Sequence, residues 1–424
     1  MQLAQDKKYQ KLGKINSKIL DIYLVPILFT LAVLVYYRNE GVRDLGFYLE
    51  AGSTLLEGGN PYTELAWRSG PVGTLVVELV FGFLPSALAI ILFQSVTIFG
   101  FIFLAKPFCM NLTKAQRNFL YSIIILSAPV RETLSGKQMT GLVAFALAFA
   151  IASIHSETKP SKSIKVTSIF AIAIAIDLKP HLMAPLLLVL IFYSSARSLI
   201  LKSGILLISL QVVISIYCNQ FLIFDWATNI LKLGNTLGES GESVSLWKVL
   251  TLVGFPDNYV FALAIASQII TLIIGLILVR QKFTLETLIA TIVPLSFGTY
   301  MHVYDYSLLT TLFLVVIVTR GLSLMRVLLL MFIAIPLESF LIQNFFVLVM
   351  ILFWFLVSTS VTYSNLKVLL QGFLTYYFIQ GINQKLEIDY KMDLSIRILE
   401  INIMALFLVY TYAIESIRKT ELEK

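Results

Sequence analysis

Two stretches of this chain, Gly204 to Phe224 and Asn258 to Val279, contain no charged residue. Each is long enough to cross ~30 Å of hydrocarbon as an α-helix. A helix facing water along that length needs a polar side, so all-round apolar blocks belong in a core or in lipid. They are not isolated. Weaker apolar runs fall at 22–37, 88–105, 118–130, 139–154, 164–176, 182–196, 287–301, 306–319 and 398–414, and the stretch 327–366 carries Glu338 as its only charge. Of the 424 residues, 58% are hydrophobic and 13% are charged. A soluble domain carries about a quarter charged residues, because its surface must face water. The pattern predicts an all-α, polytopic integral membrane protein with about 12 to 14 transmembrane helices.

The net charge of +7 is accounted for by short basic loops and calls for no nucleic acid. Lys7, Lys8, Lys11, Lys14 and Lys18 open the chain. Further basic residues cluster at Lys106/Lys114/Arg117, Lys159/Lys162/Lys165, Arg197/Lys202, Arg280/Lys282 and Arg320/Arg326. By the positive-inside rule these loops are cytoplasmic, as is the N-terminus, and the basic start with its apolar run reads as an uncleaved first span. All basic loops share that side if 72–105 makes one net crossing. The apolar run 72–84, ended by Pro85, is therefore expected to dip into the membrane or lie along it, with a full crossing as the alternative. Cys109 and Cys218 fall in a cytoplasmic loop and a span, which implies no disulfide.

The opposite face then holds the loop 38–71, the segment Arg131 to Gln138, the turn Asp177 to His181, the loop 225–257 and the turn Tyr300 to Asp305. Two of the three histidines, His181 and His302, lie there, with Trp67, Trp226 and Trp247. Aromatic residues belt any headgroup region. Ionisable residues at span ends say more, because burial near lipid is costly unless they have a partner or a task. In the first loop a helix is expected from Asp44 to Glu57, with Asp44 as N-cap and Gly58-Gly59 as its stop. It should be amphipathic and lie in the interface. Asp44 either caps this helix or acts chemically. Arg131, Lys137 and Gln138 precede a span from Met139 and either flank it or bind an anion or sugar hydroxyls. Asp177 and Lys179 either pair with each other or leave Lys179 for a phosphate. Asp305 either caps the next helix or joins His302 and Tyr304 in a substrate-facing cluster. No Walker loop, dinucleotide-binding glycine pattern, zinc-type Cys/His cluster or Asp-x-Asp pair occurs.

Four segments in order, Asp44-Leu-Gly-Phe-Tyr48 through Gly59-Asn60-Pro61-Tyr62, Gly136-Lys137-Gln138, Lys179-Pro180 and Tyr304-Asp305-Tyr306, resemble glycosyltransferase family 87. This is the polyprenol-phosphate-mannose-dependent mannosyltransferase-like group of the GT-C fold. The likeness covers residues 20–320. It departs at Arg68-Ser69-Gly70-Pro71, where such proteins often carry an aromatic before a Pro pair, and at Lys137 between Gly136 and Gln138. It implies a catalytic transmembrane module over 1–320 and further helices over 321–424. It also implies transfer of a sugar, mannose by analogy, from a polyprenyl-phosphate donor to an acceptor hydroxyl on a glycolipid, glycan or protein. Transfer takes place at the extracytoplasmic face of the cell membrane, with inversion and without a cofactor or metal. On this resemblance Asp44 is the general base. Lys179, His181, Arg131 and Lys137 hold the donor phosphate, and Gln138, Tyr48, Tyr62, Arg68, His302, Tyr304 and Asp305 line the substrate site. The loop 225–257, with Gly234, Gly238 and Gly241, resembles a flap over the donor. A transporter or flippase of lipid-linked sugars is the alternative, sharing the grooves and basic residues but needing no base.

Overall fold

The chain breaks into helices where its prolines, glycines and capping residues demand it. The structure, a computed structural model, describes residues 41–65, 67–155, 162–191, 193–237, 246–252, 254–281, 302–320 and 371. These are 84% helical and include no strand. The protein is all-α over the described residues. The apolar runs at 22–37, 287–301, 327–366 and 398–414 lie outside them.

Helix α1 (Arg43–Leu56) buries Leu45, Tyr48, Ala51, Gly52 and Leu55 on one face and exposes Phe47 and Glu50 on the other. It begins one residue earlier than expected. Val42, not Asp44, is the N-cap, and Asp44 lies in the first turn, where a carboxylate favours the positive end of the helix. The chain leaves α1 through Gly58 at φ +80°, which only glycine adopts without strain. A short helix α2 (Pro61–Glu64) follows, started by Asn60, whose side chain accepts from the Tyr62 N–H.

Helix α3 (Pro71–Val77) continues as a π-helical turn, Glu78–Gly82. Seven α-helical and five π-helical residues rise roughly 18 Å at 1.5 Å each, short of the ~30 Å hydrocarbon core. Pro85 then starts α4 (Ser86–Ala105). The run 118–130, expected as one span, is two helices. Helix α5 (Lys114–Leu126) opens with a capping box from Thr113 and Gln116. It stops at Ser127, because Pro129 in the first turn of α6 (Ala128–Ser135) cannot extend a helix before it. Next come α7 (Thr140–His155), α8 (Lys162–Leu178) and α9 (Pro180–Leu190), the last two separated at Pro180. The uncharged block 204–224 is also interrupted. Helix α10 (Ser194–Tyr217) ends and Asn219 turns the chain at φ +50°, a conformation asparagine tolerates. Helix α11 (Leu222–Leu237) then begins. The segment read as a loop over 225–257 is thus helical through Leu237, with Gly234 inside α11, and helical again in α12 (Leu246–Leu252). Gly238 and Gly241 lie outside the described residues. Helices α13 (Asp257–Gln281) and α14 (Tyr306–Arg320), the latter behind a 3-10 turn at Val303–Asp305, complete the described chain.

Among the described residues, two helices, Ser86–Cys109 and Ala196–Tyr217, are long and apolar enough to cross a membrane; Thr140–Ala152, Ala262–Ile274 and Tyr306–Val316 are apolar but shorter. Helix α4 packs along α7, α8 lies between α7 and α10, and α14 packs on α4, α5 and α6. A core of Leu45, Tyr48, Val77, Phe81, Ala89, Phe93, Met139 and Leu178 joins α1, α3 with its π turn, α4, the residue before α7 and the end of α8. The α4–α7 contact is made by small residues: Gly100 faces the Gly141 carbonyl, and a Cβ on Gly141 would lie 2.6 Å from the Thr97 Cα. Backbones this close permit no added methyl group.

Gly141→Val should therefore lower the thermal unfolding midpoint of the detergent-solubilised protein, at a cost of about 1–3 kcal/mol or more. Gly204→Val on α10, where nothing lies within 4 Å of an added Cβ, should change it little. Equal midpoints for the two variants would contradict this packing.

Candidate functional site

The turn between α8 and α9 carries Asp177, Lys179 and His181 within five residues, and the structure sends them in two directions. Asp177 faces back to the first loop. Its carboxylate accepts from the Gly73 N–H at 2.7 Å and from the Gln211 amide at 2.6 Å, while its carbonyl accepts from the Gly70 N–H at 2.7 Å. No Cβ fits at Gly70, which rests against the Asp177 carboxylate. Ser69 extends this joint: its hydroxyl donates to the Leu178 carbonyl at 2.9 Å and meets the Tyr48 hydroxyl at 3.0 Å, and its carbonyl accepts from the Tyr62 hydroxyl. Tyr48 and Tyr62 are both buried. They build the joint, and their hydroxyls do not face open space.

Lys179 faces forward. Of the two alternatives for Lys179, pairing with Asp177 does not form; the Lys179 ammonium donates to Asp305 at 2.7 Å. Asp305 is wholly buried and receives donors on both oxygens. The Thr140 hydroxyl donates to the same oxygen as Lys179, at 2.9 Å, and the other oxygen faces the His302 N–H at 3.3 Å and His181 Nε2 at 3.5 Å. Burial pushes the Asp305 carboxyl up, but the Lys179 ammonium, with His181 and His302, outweighs it and holds the group well below the usual carboxylate range. The folded value lies below the unfolded one. The stabilisation is therefore complete above about pH 4 and is lost only as pH falls towards the folded value. Lys179 also lies 4.4 Å from the centroid of the Tyr304 ring, on which His302 stacks at 4.7 Å. Lys179 and His302 are buried, while the His181 side chain keeps 34% of its surface exposed. His181 is thus the member of this group whose side chain reaches the surface.

Asp44 belongs to a second group. The Gln138 side-chain amide donates to its carboxylate, and Arg43 Nη1 donates to the Ser135 hydroxyl at 3.4 Å. Asp44 is half-buried and Gln138 is buried. The two groups adjoin. Gln138 and Thr140 are separated by Met139 alone, so the start of α7 carries the partner of Asp44 on one side and the partner of Asp305 on the other. The Thr133 hydroxyl, donating to the Tyr304 carbonyl at 3.0 Å, ties α6 to the same turn.

Three expected residues sit elsewhere. Lys137 is fully buried and its ammonium donates to the Ser135 carbonyl at 2.9 Å, so it closes its own turn instead of facing a phosphate. Arg131 is half-buried in the middle of α6. The Arg68 side chain is exposed, and its carbonyl accepts from the Trp226 indole at 2.9 Å. Helix α11 is docked on the first loop by that bond, by Asn229 to the Trp67 carbonyl at 2.5 Å and by Asn60 to Asp225 at 2.8 Å. Sequence reading did not single out Thr140, Ser69 or Thr133. A hydroxyl residue two positions after Gln138 was the one available signal for Thr140. No protein-family model matches the chain, and no curated protein matches it.

Removing one partner of a buried ion pair leaves an uncompensated charge, at a cost of about 3–5 kcal/mol. Lys179→Met should lower the unfolding midpoint strongly, and Lys179→Met with Asp305→Asn should recover much of the loss. Additive losses in this cycle would show that the pair does not hold the site together.

Proposed function

We propose that this chain is a polytopic membrane glycosyltransferase that moves a sugar from a polyprenyl-phosphate donor to an acceptor hydroxyl at the extracytoplasmic face. The observation that carries the reading is the convergence at the start of α7, where a half-buried carboxylate, Asp44, stands beside the buried Lys179–Asp305 ion pair and the partly exposed His181. Transfer with inversion needs these two features close together. The acceptor oxygen attacks the anomeric carbon as the bond to the phosphate oxygen breaks, the hydroxyl proton passes to a carboxylate, and the bonding pair leaves with the phosphate. Asp44 takes the proton. A lipid phosphate is already a good leaving group and needs charge stabilisation more than protonation. His181, whose side chain is partly exposed, is the residue placed to face it, and the buried Lys179 adds its field through the Asp305 network. The mean hydropathy of +0.85 and the two helices of membrane-crossing length support a bilayer setting with an entry route for a polyprenyl chain. Mannose is the sugar the sequence resemblance favours.

Asparagine caps a helix about as well as aspartate, and Val42 already occupies the N-cap of α1. Asp44→Asn should leave the protein folded while transfer falls by about 10²–10⁴-fold. The assay is sugar transfer from a short-chain polyprenyl-phosphate sugar in detergent, where no membrane separates two sides. Turnover by the wild type excludes a pure transporter; an Asp44→Asn variant as active as wild type removes Asp44 from the chemistry.

A further inference from the structure

Gln138 is placed by an unusually constrained piece of backbone. Helix α6 closes with the Gly136 N–H on the Glu132 carbonyl at 2.8 Å and the Gln138 N–H on the Thr133 carbonyl at 2.9 Å. Lys137 between them takes a left-handed φ of +53°, a conformation that glycine adopts freely and lysine adopts at a cost. That strain is held by burial of the whole Lys137 side chain and by its ammonium on the Ser135 carbonyl. Gly136 leaves room for the Gln138 side chain: an added Cβ at Gly136 would lie 3.3 Å from Gln138 Cγ. The turn thereby directs the Gln138 amide at the Asp44 carboxylate, and Arg43 secures the start of α1 to the same turn through Ser135.

We propose that Gln138 is the positioning residue of the base: its side-chain amide fixes the orientation of the Asp44 carboxylate towards the acceptor hydroxyl, and it does not itself bind sugar. This rests on the reading of Asp44 as the base. A carboxylate on the first turn of a surface helix rotates freely about two side-chain bonds. A base that must meet a hydroxyl at hydrogen-bond distance gains from having that rotation removed in advance. Gln138, buried and anchored at its backbone, supplies an amide N–H that bonds only to an oxygen acceptor. The elements that meet here also carry Arg43 and Glu50 on α1, Arg131 and Glu132 on α6, and Lys137 in the turn that follows. Glu78 of the π turn packs against Gly52, about two turns along α1 from Asp44.

The test uses the full chain in detergent with a short-chain polyprenyl-phosphate sugar, kcat and KM being measured for donor and acceptor across pH. Gln138→Leu should lower kcat by about 10- to 100-fold, the range that a lost hydrogen bond to a charged group spans, with both KM values unchanged. Gln138→Glu sets a second carboxylate against Asp44. The acidic limb of its kcat/KM profile should move up by about one pH unit or more, because neighbouring carboxylates resist joint ionisation. A raised KM with unchanged kcat would make Gln138 a substrate contact and overturn the proposal. If Gln138→Leu fails to fold, the Gln138→Glu profile decides: an acidic limb at the wild-type position overturns the proposal. An inactive, folded Asp44→Asn alongside such an unmoved limb would sink Gln138 as positioner and leave Asp44 as base. An active Asp44→Asn would sink both.

Discussion

A carboxylate sealed from water stays ionised only if the protein surrounds it with donors and positive charge, and Asp305 is sealed completely. Its two oxygens collect Lys179 from the turn before α9, Thr140 from the start of α7, His181 from the first turn of α9 and the His302 N–H from its own turn. The three stretches that meet here, around Thr140, Lys179 to His181 and His302 to Asp305, are far apart in the chain. The charge pairing makes their meeting obligatory, because separating them would strand a buried ion. The turn that opens α14 is thereby tied to the start of α7 and to the turn between α8 and α9.

The neighbouring joint is built from hydrogen bonds and not from an ion pair. Asp177 accepts from Gly73 and Gln211, Gly70 lies so close that no side chain fits, and Ser69 links Tyr48, Tyr62 and Leu178. This network seats the short apolar helix α3 and positions α1, the helix that carries Asp44. One five-residue turn thus serves both groups: Asp177 orders the acid-bearing loop, and Lys179 with His181 orders the cationic cluster. The start of α7 joins them through Gln138 and Thr140, two residues apart. Such spacing holds the Asp44 carboxylate and the Lys179–Asp305 pair in a fixed relation.

Much of the site was legible in the sequence because ionisable residues at the ends of apolar runs have few innocent explanations. Asp44, Gln138, Lys179, His181, His302, Tyr304 and Asp305 were all visible in that way, and the structure brings them to adjoining positions. The pairings were not legible. Asp177 and Lys179 are close enough in sequence to pair, yet each bonds to a segment a hundred or more residues away. Lys137 reads as an exposed cation and is buried, because the left-handed turn folds its side chain back on α6. Thr140 and Ser69 carry no charge and give no signal until their hydroxyls are seen to complete a buried carboxylate and a tyrosine joint.

The sequence by itself determined helix content, the interruptions at Pro85 and Pro180, the exit through Gly58 and the absence of charge from the longest blocks. Those are local consequences of backbone chemistry and of hydropathy. Where a helix begins within a residue or two, as at Val42, and whether an apolar block runs on or turns, as at Asn219, depended on neighbours. The segment 225–257 shows the same limit: it reads as a loop because its charges and glycines break the apolar run, yet α11 forms there, docked on the first loop by Asp225, Trp226 and Asn229. Only the tertiary structure decided which buried polar group satisfies which other. Hydrogen bonds and ion pairs are short-ranged, and their partners become neighbours only once the helices have packed.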